Sequence, residues 1–260
     1  MKLYQDSGDN KMAKTKKVRT RKRGKTWSYI FEAGQVNGRR KVIEKGGFAT
    51  EKDAYNAGDI PLLLLYHTGM RISEVLGLSW SDVNFAEHKI NLRRQLVYIK
   101  KKGYFFTTLK TESSKRYILI DDFLLEELQR WQARQAENEK RIGNNYTYTY
   151  LENDGHIIKQ SKGLPAPVGE KVSLVCTRDD GQFVLHISLT GFLKSEKLNA
   201  HSFRHTHATY LIEGGAEAKA VAGRLGHTNT LITQNLYTHN TRKLQEKALA
   251  IFDKIMQTNS

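Results

Sequence analysis

The chain has 260 residues, a net charge of +15 and a pI near 9.7. That length allows one or two domains with an ample core, and that charge points to a polyanionic partner, nucleic acid before membrane. No apolar run reaches the length of a membrane span, no signal peptide opens the chain, and the single cysteine, Cys176, excludes an internal disulfide and fits a reducing cytoplasm, where its ordinary role is that of a small buried hydrophobe.

Residues 1–10 are polar and read as a disordered tail. Residues 11–25 hold nine Lys or Arg and no acid, among them Lys16, Lys17, Arg19, Arg21, Lys22, Arg23 and Lys25. A bare basic run is usually a solvated tail or a localisation signal, but here a patterned segment follows at once. Residues 26–33 alternate like a half-exposed strand, Gln35-Val36-Asn37-Gly38 carries a hairpin signal, and residues 39–45, opening with Arg39-Arg40-Lys41, pair back. Thr50, with Asp53 at its third position, is expected to cap a short helix ending at Ala57. A small basic sheet backed by one helix lays its strands in the major groove, so residues 11–57 read as a module for double-stranded DNA in which the basic residues named above make the contacts.

Gly58-Asp59 is the expected seam, with residues 58–260 forming one further domain. Ile60-Pro61-Leu62-Leu63-Leu64-Leu65-Tyr66 is too apolar for a surface helix and reads as buried. Arg71 follows in Thr68-Gly69-Met70-Arg71-Ile72-Ser73-Glu74, where a pairing with Glu74 is its ordinary role. Strand patterns come next at 88–92, 95–99, 104–107 and 116–120, with Lys110 in the polar turn between the last two. Asp121 or Asp122 caps a helix from about residue 123 into 139. Between 143 and 192 the sequence shows strand patterns at 148–150 and 172–175 and a loop at 163–167, but no chemistry. Leu244, Ala248, Ile251, Phe252 and Ile255 recur at helical spacing near the C-terminus, as a helix packed on its own domain or docked on a neighbouring protomer.

The chemistry collects in one block. Five of the nine histidines fall between positions 201 and 239. His201 and Arg204, three apart, share a helix face. That helix ends at Glu213-Gly214-Gly215; a second, 216–225, stops at Gly226 and delivers His227 on a turn, and Tyr237 follows ten residues later. Between His201 and Tyr237 the only acids are Glu213 and Glu217. Two imidazoles, a guanidinium and a phenol suit attack on a phosphodiester, where cationic donors stabilise charge spread over the equatorial oxygens and favour the tyrosine anion. So few carboxylates argue against a magnesium-dependent nuclease. The residues alone therefore read as a metal-independent, covalent phosphotyrosine step.

The chain resembles tyrosine recombinases of the phage-integrase family, of the type carried by conjugative transposons. Thr68-Gly-Met-Arg71-Ile-Ser-Glu74 resembles the first arginine box, His201-Ser-Phe-Arg204-His205-Thr the H-x-x-R box, Leu225-Gly-His227 the second histidine box, and Tyr237 the nucleophile. The likeness covers roughly residues 60–258, and the basic segment resembles an arm-type DNA-binding domain. It implies an α+β protein: a mainly helical catalytic domain with a small antiparallel sheet, preceded by a small three-stranded sheet plus helix. It implies that Arg71 and Arg204 clamp the scissile phosphate, His201 and His227 complete the cage, and Tyr237 forms a 3′-phosphotyrosine. Lys110 would protonate the leaving 5′ oxygen, and neither nucleotide nor metal is needed. It further implies attachment and arm-type DNA sites as partners, with self-association on DNA through the C-terminal helix.

The family places a helical core-binding domain between the arm-binding segment and the catalytic domain, whereas here Gly58 and Asp59 alone separate the two. A shortened integrase that occupies arm sites without completing strand exchange is therefore the alternative. A metalloenzyme using His201 and His205 at i,i+4 is a third reading, weakened because Ser202-Phe203-Arg204 supplies a cation and no glutamate.

Overall fold

The structure is a computed structural model that describes residues 19–36, 39–48, 60–109, 114–195 and 197–227. Within the first of these segments the side chains described are those of residues 21–28 and 30, and within the second those of 42, 44 and 46. The chain divides into two compact units, Met1–Gly58 and Asp59–Ser260. The expected tail at 1–10, the helix at 50–57, the Lys110 turn, Tyr237 and the C-terminal helix lie outside the described residues, as do Lys16 and Lys17.

The first unit is an antiparallel sheet in the order β1 (Arg19–Arg23), β2 (Thr26–Val36), β3 (Arg39–Phe48). The hairpin expected around Gln35-Val36 pairs as read, with Val36 opposite Arg39. The basic run itself supplies β1: Arg23 pairs with Thr26 across a two-residue turn, and Arg19 with Ile30. In a strand, alternate residues share a face. Arg21 and Arg23 therefore lie on the face of their direct partners Ser28 and Thr26, while Lys22 lies on the face of Trp27, with its Nζ 5.8 Å from that ring.

The second unit is built on α1 (Ile60–Thr68), which is apolar all round and buried on every side. Leu62, Leu63, Leu64 and Leu65 are each no more than 1% exposed. Burying each contributes about 1.5–3 kcal/mol. Around α1 pack α2 (Ile72–Leu76), α3 (Asp122–Ile142) and α5 (Ala200–Glu213). Asp121 Oδ1 caps α3 by accepting from Leu124 N at 2.8 Å, and Asn199 Oδ1 caps α5 by accepting from Ser202 N at 2.8 Å. The last described helix, α6 (Ala218–Leu225), packs on α5 through Ala208, Ile212, Val221 and Leu225.

Where one small antiparallel sheet is expected in this unit, three occur among the described residues. One has the order β4 (Val83–Asn84), β5 (Lys89–Leu92), β8 (Arg116–Leu119); the second is the hairpin of β6 (Arg94–Ile99) and β7 (Gly103–Thr108); the third has the order β10 (Ile157–Ser161), β9 (Thr147–Leu151), β11 (Glu170–Val172). The break between β5 and β6 has a visible cause. Arg93 and Arg94 both turn to buried Asp82, with Arg93 Nε at 2.9 Å and Arg94 Nη2 at 3.2 Å. The strand read at 172–175 also stops early, at Val172. Beyond it the α3 side chains hold the backbone: Trp131 Nε1 donates to Val175 O at 2.7 Å, and Gln135 Nε2 to Leu174 O at 3.2 Å. Cys176 is buried, as its ordinary role required.

Candidate active site

The site is assembled on the turn that enters α2. Gly69 holds φ +65°, and an added Cβ would meet Leu225 Cδ2 at 2.6 Å and His207 Cδ2 at 2.9 Å, so both the conformation and the space demand glycine. The turn presents Arg71 at the start of α2, where its backbone N–H donates to Glu74 Oε2 at 2.8 Å. Its Nη1 donates to Glu74 Oε1 at 2.9 Å, so the ordinary pairing forms, while 41% of the side chain stays exposed.

Glu74 is buried at 1% exposure and serves two arginines. Arg116, from the first residue of β8, donates Nη1 to Oε1 at 3.2 Å and Nη2 to Oε2 at 3.0 Å. Burial alone would push the Glu74 carboxyl up; the Arg116 bonds and charge, and then Arg71, outweigh it and hold the group below its ordinary value. The carboxylate is ionised and over-matched by cations.

Three guanidinium groups then meet three successive carbonyl oxygens at the end of α6. Arg116 Nε donates to Arg224 O at 2.7 Å, Arg204 Nη2 to Leu225 O at 2.6 Å, and Arg71 Nη2 to Gly226 O at 3.2 Å. These are last-turn carbonyls, which have no partner within the helix and carry its negative pole. That pole gathers like charges which would otherwise repel. Arg204 is 4% exposed and also donates Nη1 to Gly69 O at 2.9 Å, tying the two boxes together. Burial, then Arg71, lowers its guanidinium to about 10, still protonated at neutral pH.

Gly226, in the left-handed conformation at φ 68°, ends α6 and places His227 beside this cluster. Burial first, then the charges of Arg204, Arg71, Arg116 and His201, push the His227 imidazole down to about 4. It is neutral at pH 7. His201 is exposed on the first turn of α5. The structure thus brings together Arg71, Arg204, His227 and His201, while Lys110 and Tyr237 lie outside the described residues. The donor set is cationic, which does not suit a metal; among the described residues no three His, Cys, Asp or Glu side chains gather in one group.

Sequence reading missed Arg116, Arg224 and His207. Arg116 stands 42 residues from Glu74, and nothing in a strand pattern marks its first residue as a structural cation. His207 Nδ1 donates to Tyr66 O at 3.0 Å, which leaves Nε2 to accept from Arg224 Nε at 3.1 Å. Burial first, then Arg224, pushes this imidazole down to about 4. Between that value and the ordinary 6.5 the unfolded chain takes up a proton and the folded chain does not. Stability is therefore full above pH 6.5 and falls as the pH drops towards 4, by ~3 kcal/mol for this group. His227 acts in the same direction. His207→Gln, whose amide offers one donor and one acceptor, should flatten the decline; urea midpoints at pH 7 and pH 4.5 measure it, and an unchanged slope contradicts it.

In the first unit Arg21, Lys22, Arg23 and Lys25 are exposed. For Arg19, Arg39, Arg40 and Lys41 only the strand positions are described, at the start of β1 and of β3. The Glu44 carboxyl is held below its ordinary value by the Ser28 hydroxyl and then by Arg23.

The described residues contain no helix long and apolar enough to cross a membrane. The sequence profile of the phage integrase family matches residues 47–243, and that of an arm DNA-binding domain matches residues 18–59. The chain is similar to a tyrosine recombinase XerC-like protein of Caldanaerobacter subterraneus subsp. tengcongensis, 30% identical over 195 residues, which are 72% of this chain and 46% of the relative. It is also similar to the transposase from transposon Tn916 of Enterococcus faecalis, 26% identical over 198 residues, which are 75% of this chain and 45% of that protein. The chain thus spans about half the length of the curated relatives it matches. A solved structure of the Tn1549 transposon integrase in complex with transposon right-end DNA shares the fold at a TM-score of 0.57 and 23% identity, over 81% of this chain and 61% of that one. With the profile covering most of the chain and the fold in agreement, the chain belongs to the phage integrase family of tyrosine recombinases.

Proposed function

We propose that this chain is a site-specific DNA recombinase of a mobile element, breaking and rejoining double-stranded DNA through a 3′-phosphotyrosine. The observation that carries the reading is the convergence of Arg71 and Arg204 on the end of α6, beside neutral His227 and with Glu74 already matched by Arg116. Such a cluster has positive charge to spare for a phosphodiester. Arg71 and Arg204 take the two non-bridging oxygens, which a planar fork suits. His201 and His227 complete the cage.

In the chemical step Tyr237 releases its hydroxyl proton to solvent, its oxygen attacks phosphorus and the bond to the 5′ oxygen breaks. Lys110 gives that oxygen its proton, leaving a 5′ hydroxyl and a 3′-phosphotyrosine. The ester is kept in the protein–DNA bond, so rejoining reverses the step without a nucleotide or metal cofactor. The first unit binds arm-type sites through its basic residues, protomers associate on DNA through the C-terminal helix, and the protein works in the cytoplasm.

The test is a denaturing gel after incubation with nicked duplexes carrying the ends of the element that encodes the chain. A denaturant-stable adduct is expected, and Tyr237→Phe should remove it while leaving DNA affinity nearly unchanged, since affinity rests on phosphate contacts elsewhere. An adduct surviving in the Phe variant rules Tyr237 out as the nucleophile. Sequence-selective DNA binding with no adduct from the unaltered chain would favour the shortened, site-occupying reading.

A further inference from the structure

We propose that Glu44 is a specificity-determining residue, holding Arg21 and Arg23 in one presentation for guanine edges in the major groove of double-stranded DNA. The inference rests on the reading of the first unit as a DNA-binding module and adds what makes that module selective.

Among the described side chains of this unit Glu44 is the one acid. Its carboxylate receives Arg23 as a fork, Nε to Oε1 at 2.9 Å and Nη2 to Oε2 at 2.8 Å. Arg21 Nη1 lies 3.6 Å from Oε2. Ser28, 1% exposed, holds the carboxylate from beneath, its Oγ 2.6 Å from Oε1. That hydroxyl is also 3.2 Å from Arg21 O, but its single proton goes to the nearer, charged acceptor. One carboxylate, fixed from below, thus holds Arg23 as a fork and draws in Arg21, two of the three arginines that alternate on this face of β1.

A fork joined by Arg21 and Ser28 supports the sheet, but in DNA binding the negative charge of Glu44 opposes the phosphates. It does, however, restrict where the arginines go. Arg23 spends its Nε–Nη2 edge on Glu44, and a guanidinium has a second two-nitrogen edge, Nη1–Nη2, able to reach guanine O6 and N7 together. The side chains of Arg21 and Arg23 remain 56% and 62% exposed, so a base can reach them. A side chain already held in place loses less rotamer freedom on docking, and it cannot swing to whichever phosphate is nearest. Glu44 therefore costs general affinity and adds discrimination.

The experiment uses the full chain and a pool of duplexes with a randomised centre, followed by competition of the enriched site against the unselected pool. The unaltered chain should enrich a site containing guanine. Glu44→Gln should bind the pool several-fold more tightly and discriminate roughly tenfold less, about one bidentate base contact. Arg23→Lys keeps the charge and loses the fork; it should lose the same guanine preference with little change in pool affinity, which tests the idea even if Glu44→Gln lowers the melting temperature. Full discrimination retained by both variants overturns the inference while leaving DNA binding intact. Equal loss of site and pool affinity in Glu44→Gln also overturns it, because the residue would then only support the sheet. An unaltered chain with no affinity for any duplex defeats the DNA-binding reading itself, and the inference with it.

Discussion

Arg204→Lys should reduce adduct formation on nicked DNA by about a thousandfold or more, the scale on which arginine donors act in phosphoryl transfer. It should also cost stability. Arg204 spans from Gly69 O at 2.9 Å to Leu225 O at 2.6 Å, and a lysine, with one nitrogen, cannot reach both in this geometry. One buried carbonyl is left without its donor, at about 1–3 kcal/mol. Urea denaturation with single-turnover adduct formation separates the two effects, because the folded fraction at low urea is known. A variant equally stable and within tenfold of the unaltered rate contradicts the bidentate role.

The second large effect concerns the pair beneath the cage. Glu74→Ala should destabilise the chain by about 3–5 kcal/mol, since it leaves Arg116, 7% exposed, as a buried charge without a counter-ion. Replacing both members by well-packed apolar residues, as in Glu74→Leu with Arg116→Met, should recover most of that stability, because a buried ion pair is often matched by such a replacement. It should not recover adduct formation. Arg71 would keep its link to Gly226 O at 3.2 Å but lose both of its bonds to Glu74. Folding restored without activity assigns the pair to positioning Arg71. Activity restored along with folding shows that its role was only to support the fold.

How much of this was legible depended on whether the cause was local. The run of leucines in α1, the cap at Asp121, which the sequence left open with Asp122, and the glycine stop after α5 are set by neighbours in sequence, and the structure shows them; the cap Asn199, equally local, was not read. The order of boxes placed Arg71, Arg204 and His227 in one family site, and the structure gathers them. Helix α4 (His186–Ser195) was missed because His-Ile-Ser-Leu-Thr-Gly has poor helix propensity; buried Leu189 and Leu193, one turn apart, override it. The resemblance implied the third strand, β1, but the residues did not place it, because a basic run resembles a solvated tail until a hairpin pairs with it. Arg116 was missed because its partners are Glu74, 42 residues away, and Arg224 O, 108 residues away. No window along the chain contains that set.

The three arginines that end on α6 have a consequence for the order in which the protein is made. Arg71 and Arg116 are synthesised well before the carbonyls they will hold, which lie 155 and 108 positions further on. A ribosome adding about 5–20 residues per second leaves them waiting for many seconds. During that interval Glu74, three positions from Arg71 and 42 from Arg116, is the acceptor already present. Closing the larger loops costs chain entropy that is recovered only when the end of α6 docks. The arginine cluster is therefore among the last features to form, and a nascent or interrupted chain that stops short of Gly226 carries the arginines without the full set of carbonyls that gathers them.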